Sequence, residues 1–234
     1  MARHVQLNNA EHSGLRVLTT RNAGLGDAVM SCPLFVHEFR QAQTHYPIVF
    51  ARGGDGRVTP LALFGFERGE NLFLTEAGWD VPFLPAALRM QPFVIGRARD
   101  GQHEVHIDLD SPRLDEAGEP LFLEHGGQAP LLQEAARTLG EVAAGDQATR
   151  AFADLLTAMD LTEPFTLDVT LADGGAGRLA GLNVIAEERL ASLGEGDLGR
   201  LQASGSLLPV FMAVASLSRF EDLVARRNAR GSAT

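Results

Sequence analysis

The chain has no lysine: each of its 20 basic side chains is arginine. That absence excludes Schiff-base chemistry on a lysine amine and a Walker-type phosphate loop, since both need that residue. Cysteine is nearly absent too. Cys32 stands alone, so no intramolecular disulfide can form, and a reducing compartment suits the chain. No run of basic residues occurs before Arg226, Arg227 and Arg230, and 30 acidic against 20 basic side chains give a formal net charge of −10. Binding a duplex requires a basic footprint that displaces phosphate counterions, so nucleic acid is not an expected partner, nor is an anionic membrane surface. Long apolar runs are missing as well. The most apolar stretch, Leu207 to Leu217, is about half of what spans a bilayer. Residues 1–14 carry Arg3, His4, Asn8, Asn9 and Glu11 without the apolar block of a signal peptide. The expectation is a cytoplasmic protein with no membrane insertion. No nucleophile elbow appears, and Gly205-Ser206 is not one.

What is present is ordinary for a globular protein. Over 234 residues, 45% hydrophobic and 21% charged side chains suffice for a substantial core. Residues 1–14 read as a loose arm and Leu15 to Thr20 as a short strand. A helical turn is expected from Pro33 to Arg40. Strands are expected at Tyr46 to Ala51, Leu61 to Phe66 and Asn71 to Thr75, separated by glycine-rich breaks. Pro82 and Pro85 make any helix up to Met90 start late and stay short. Phe93 to Ile95 is strand-like. Glu104 to Asp110 alternates, with Val105, Ile107 and Leu109 on one face and Glu104, His106, Asp108 and Asp110 on the other. Ser111-Pro112 ends it.

Residues 115–130, rich in Gly, Pro and acidic side chains, read as a loop. Beyond it the period becomes helical in Leu131 to Leu139 and in Thr149 to Met159. Phe165 to Leu171 and Gly177 to Val184 form a hairpin about an Ala172-Asp173-Gly174-Gly175 turn. Short helices follow at Glu187 to Leu193 and Asp197 to Gln202. The last helix is capped by Ser206 and presents Leu207, Val210, Phe211, Val214, Leu217 and Phe220 on one face. The fold class is α+β: a strand-rich antiparallel N-terminal half to about residue 114, then a helical C-terminal half with one β-hairpin. Residues 1–32 form the arm with its strand and turn, 33–224 a single domain, and 225–234 a flexible tail.

Three places could carry chemistry. Asn22-Ala23-Gly24-Leu25-Gly26-Asp27 follows a strand and resembles the Gly-Asp turn of heptosyltransferase-type enzymes, where backbone N–H groups approach a phosphate; it stands alone with no βαβ series after it, which favours an ordinary glycine turn. His106, Asp108 and Asp110 share one strand face at successive spacings of about 6–7 Å, with His103 nearby in sequence. One imidazole and two carboxylates could hold a divalent metal, or the carboxylates could act as general bases. In the turn Asp110-Ser111-Pro112-Arg113, the arginine could clamp an anion or pair with Asp110 or Asp115. Trp79 could offer a stacking platform. Tyr46, Trp79 and the phenylalanines otherwise belong in the core.

Several segments resemble the SapC family of bacterial proteins. They run from Pro33-Leu34 and Glu38-Phe39 through His45-Tyr46-Pro47-Ile48-Val49-Phe50, Glu70-Asn71-Leu72-Phe73, Trp79 with Val81-Pro82 and Gln91-Pro92-Phe93. They continue with Ile107-Asp108-Leu109-Asp110-Ser111-Pro112-Arg113-Leu114 and Gly118-Glu119-Pro120-Leu121-Phe122. Glu163-Pro164-Phe165, Ala172-Asp173-Gly174, Leu179-Ala180-Gly181-Leu182 and Ala215-Ser216-Leu217 complete the set, in order, over residues 33–224. The resemblance names a surface-layer locus but supplies no catalytic residues. It implies gene neighbours of the flavin-dependent halogenase and cupin or JmjC-like oxygenase kinds. Three readings follow: a non-catalytic accessory protein for peptide- or amino-acid-modifying oxygenases that binds another protein or a small ligand; an enzyme or metal-binding protein using the His106-Asp108-Asp110 face, with Ser111, Arg113 and Trp79 assisting; and a surface-layer component.

Overall fold

The computed structural model describes residues 3–97, 103–170 and 176–231. In chain order the strands are β1 (His4–Gln6), β2 (Arg16–Val17), β3 (Ser31–Pro33), β4 (Ile48–Arg52), β5 (Val58–Leu63), β6 (Leu74–Thr75), β7 (Gly78–Trp79), β8 (Phe93–Arg97), β9 (His103–Asp108), β10 (Glu119–Pro120), β11 (Thr162–Thr170) and β12 (Ala176–Ile185). The α-helices are α1 (Asn9–His12), α2 (Phe39–Ala42), α3 (Ala86–Arg89), α4 (Pro130–Ala158), α5 (Glu187–Ala191), α6 (Glu195–Ala203), α7 (Leu207–Ser216) and α8 (Arg219–Gly231). The class is α+β, with antiparallel sheets and a C-terminal half dominated by helices.

The chain divides into two compact units, each assembled from three separate stretches of sequence. The first comprises Met1–Ala28, Leu74–Asp80 and Ala86–Ala144, the second Val29–Phe73, Val81–Pro85 and Gly145–Thr234. Within the first unit, β9 pairs with β1 on one side and β8 on the other. The expected arm is thus partly a strand: Val5 lies opposite Ile107 and packs on the same apolar cluster. That cluster gathers Val17, Phe93, Ile107 and Leu121 with Leu132, Ala135 and Leu139 of α4. The alternation of β9 explains its burial, since Ile107 is fully buried and Val105 and Leu109 pack beside it.

The second unit is built on a five-stranded sheet in the order β11-β12-β4-β5-β3. The hairpin of the C-terminal half therefore does not stand apart: β12 pairs with β4, Leu182 opposite Ala51 and Asn183 opposite Phe50. The hairpin turn expected at 172–175 lies outside the described residues. Aromatic packing dominates this unit. Tyr46 meets Phe64 and Phe73 edge-on at centroid distances of 5.1 and 4.8 Å, and its hydroxyl donates to the Phe83 carbonyl. Trp79, expected in the core, is half-buried in the short β6–β7 hairpin of the first unit, opposite Leu74.

Four expectations are corrected. The two helices expected between Leu131 and Met159 are one, because glycines at 140 and 145 do not break it. Gly145 has a packing reason: a Cβ there would stand 2.6 Å from the His37 ring, so the ring rests on bare helix backbone. The strand expected at 61–66 starts earlier, at Val58, and Asn71 to Phe73 are not strand. On α7 the buried residues are Pro209, Val210, Met212, Ala213 and Ser216, so Phe211 projects outward at 51% exposure. Residues 225–231, expected as tail, continue α8, with the Arg226 guanidinium 4.3 Å from the centre of the Phe73 ring. Among the described residues no single helix is long and apolar enough to cross a membrane.

Candidate functional site

Where β9 ends, the chain turns on Asp108. Its Oδ1 accepts from Asp110 N at 3.0 Å and from Arg3 N at 2.9 Å, which closes an Asx-type turn and ties down the N-terminal strand. Ser111 Oγ then accepts from Arg113 N at 3.2 Å. The result points the Arg113 side chain inward, where 1% of it is exposed. Its Nη1 donates to the carbonyls of Leu18 and Thr20 at 3.3 and 2.9 Å, and its Nη2 donates to Asp27 Oδ1 at 2.5 Å. The partner is therefore neither Asp110 nor Asp115, nor a free anion. Arg113 is structural on this geometry.

Asp27 is fully buried, and Arg21 and Asn22 donate to it besides Arg113. Arg21 Nη1 reaches Oδ1 at 3.1 Å, and Asn22 N reaches Oδ2 at 3.0 Å. Two guanidiniums thus face one carboxylate. Burial pulls the Arg21 pKa below its ordinary value, the nearby Arg113 charge adds to that, and Asp27 opposes both. Bonds from the guanidiniums to the carbonyls of Leu18, Thr20 and Leu88 offset part of the desolvation.

The turn that presents Asp27 is self-satisfied. Asn22 Oδ1 accepts from Leu25 N at 3.1 Å, Gly26 N donates to the Ala23 carbonyl, and Asp27 N donates to the Asn22 carbonyl. Gly26 sits at φ 88°, the left-handed conformation that glycine adopts without strain. The Leu25, Gly26 and Asp27 N–H groups are thus bonded within the turn and are not free to cradle a phosphate. The turn instead carries Asp27 to Arg113, 86 positions away.

In front of this cluster lies a recess of about 350 Å³. Leu25 and Gly26 form one wall, Ala87, Met90, Phe93 and Val94 an apolar floor, and Asp108, Ser111 and Pro112 the polar wall. The Gln91–Pro92 bond on its rim is cis, and Asp108 N donates to the Pro92 carbonyl. Asp108 Oδ2 has no hydrogen-bond partner among the described residues.

The remaining candidates stand apart from it. The His106 ring lies flat on Gly96, where a Cβ would stand 2.1 Å from it, with Nε2 3.6 Å from Glu104 Oε2. Asp110 is exposed and 3.8 Å from Arg3. His106, Asp108 and Asp110 share a face but do not converge, and among the described residues no group of three or more His, Cys, Asp or Glu is arranged to hold a metal ion. The side chain of His103 lies outside the described residues. Trp79 does not line the recess. The sequence reading missed Asp27 as the partner of Arg113, and Arg21 as the second cation on that carboxylate. Their one local signal is an aspartate placed after a left-handed glycine in an otherwise apolar stretch.

The family model described as SapC matches residues 7–223, a span that includes Asp27, Arg113 and most of the recess. No curated protein and no solved structure matches the chain. A match over nearly the whole chain places this protein in the SapC family.

Proposed function

We propose that this SapC-family protein is a cytoplasmic, non-catalytic accessory protein that holds a small molecule, or a side chain of a partner, in the recess beside Asp108. The observation that carries this reading is the fate of Arg113. The only cation of the Asp108–Arg113 segment is buried against Asp27, so that segment gives the recess a carboxylate and a hydroxyl above an apolar floor, with the His4 imidazole beside them. Such a lining favours a ligand with an apolar body and a cationic or hydrogen-bond-donating end. An oxygenase that modifies peptides or amino acids is the partner class that the family resemblance suggests. A second reading, Asp108 as a general base, is favoured by the one carboxylate oxygen left without a partner on the recess wall.

Native mass spectrometry of gently purified protein, with metal analysis of the same sample, tests the binding reading. The expected result is a co-purifying organic molecule near one per chain that is lost in Ala87→Trp, a substitution that fills the recess from α3. A chain that is empty in both forms counts against it. Asp108→Asn separates the two readings: binding weakened with turnover absent in both forms supports holding, whereas turnover of the identified molecule abolished by this change supports a base.

A further inference from the structure

The second unit contains a separate cleft of about 410 Å³, between the turn joining β4 to β5 and the second half of α4. Its origin lies in how β3 ends. Gly53 N donates to the Arg57 carbonyl and Leu63 N to the Pro47 carbonyl, so the odd-numbered positions of β5 bond toward β4. Phe64 N donates to the Met30 carbonyl and Leu34 N to the Pro60 carbonyl, so the even-numbered positions bond toward β3. The next even position is Val58. Its N–H and C=O point to where β3 would continue, and β3 does not continue.

A strand end and two contacts carry the chain away instead. Pro33 ends the strand, Phe35 N donates to Glu38 Oε2 at 3.0 Å, and Val36 N donates to Thr149 Oγ1 at 3.1 Å. Thr149 Oγ1 donates in turn to the Gly145 carbonyl, and the His37 ring rests on Gly145. The departing loop is thus clamped to α4, and the Val58 edge stays open although Val58 itself is 3% exposed. Backbone polar groups at that depth are nearly always paired.

The rim supplies charge of both signs. Arg57 Nε lies 3.4 Å from Asp154 Oδ1, and Arg150 Nη2 lies 3.0 Å from Asp146 Oδ2. Both pairs are largely exposed, so each contributes no more than about 1 kcal/mol and can exchange partners with an incoming charge. The floor beneath is apolar, from Pro33, Leu34, Val58 and Ala153.

We propose that this cleft binds a short extended peptide carrying charges of both signs, paired main chain to main chain with Val58. The peptide supplies the strand that β3 leaves out. Its carboxylate meets Arg57 or Arg150, and its ammonium meets Asp146 or Asp154. Strand addition at an open sheet edge is a general mode of peptide capture, with main-chain bonds giving affinity and flanking side chains giving selectivity.

The test uses the full chain and the free tripeptide Ala-Val-Ala, followed by amide chemical shifts at up to about 10 mM ligand. The expected result is saturable shifts of the Val58 and Thr59 amides. Binding should weaken about tenfold or more when the peptide's central nitrogen is methylated, because the ladder bond is then lost. It should also weaken in the Arg57→Glu plus Arg150→Glu variant, whose exposed changes leave the fold intact. Equal binding of the methylated peptide overturns the proposal, as does the absence of shifts. Shifts at Val94 and Asp108 alone also overturn it; that outcome would instead favour the recess of the first unit.

Discussion

The two units each carry a cluster of arginine and aspartate side chains, at different depths. The first unit buries Arg21, Asp27 and Arg113 together, and its apolar cluster is mostly aliphatic. The second buries rings, with Tyr46, Phe64 and Phe73 packed edge to face, and leaves Arg57, Arg150, Asp146 and Asp154 at the surface. Arginine and aspartate are the same chemistry in both, but their depth changes what they do. A buried guanidinium such as that of Arg113 is held by a carboxylate and by backbone carbonyls, whereas an exposed one is free to change partner. The lesson is that an arginine next to a conspicuous turn marks architecture in one unit and recognition in the other, and that burial decides which.

The largest effect is expected where this contrast is broken from the buried side. Asp27→Ala leaves two buried cations without their carboxylate and should cost about 3–5 kcal/mol. Arg113→Met should cost less, because Asp27 keeps Arg21 as its partner. The midpoints of urea unfolding check the order, and the reverse order would mean that the carboxylate is not the keystone. In the second unit, Tyr46→Phe keeps the ring and removes the donor to the Phe83 carbonyl. It should cost about 1–3 kcal/mol in the same assay. Exchanging Arg57 and Arg150 for alanine should change stability by no more than about 1 kcal/mol. A loss as large as that from Asp27→Ala would erase the distinction between the units.

Alkaline pH gives a further, smaller test. Burial first, and the Glu38 carboxylate second, push the Cys32 thiol well above its ordinary pKa. The contribution is complete while the unfolded thiol is protonated, below about pH 8.5, and is lost as pH rises beyond it because only the unfolded chain ionises. The urea midpoint should therefore fall between about pH 8 and 10 in the native sequence and fall less in Cys32→Ala. With no lysine in the chain, few other groups titrate there.

Patterns within one element were legible in the sequence. The alternation of residues 104–110 placed Ile107 inward, and Pro82 with Pro85 delayed α3 to Ala86. What could not be read was set by partners far along the chain. Gly140 and Gly145 look like helix breakers until His37 is seen against Gly145. His4 to Gln6 carry too little pattern to be a strand until β9 is placed beside them. The turn at Asp110-Ser111-Pro112-Arg113 was legible, but the partner of Arg113 was not, because it sits in the glycine turn of Asp27.

The hairpin that completes the second unit's sheet has a consequence for synthesis. Strand β4 leaves the ribosome early, yet its neighbour β12 contains Leu182 and Asn183 and follows more than a hundred residues later. Until then β4 offers an open edge, of the sort that invites pairing with other chains. Pairing across so long a stretch also slows folding. The first unit waits as well, since β1 pairs with β9 about a hundred residues on, but its last residue, Ala144, precedes β12. A nascent chain with residues up to about 150 outside the ribosome should thus hold a complete first unit and one exposed sheet, and that interval is when a chaperone has most to protect.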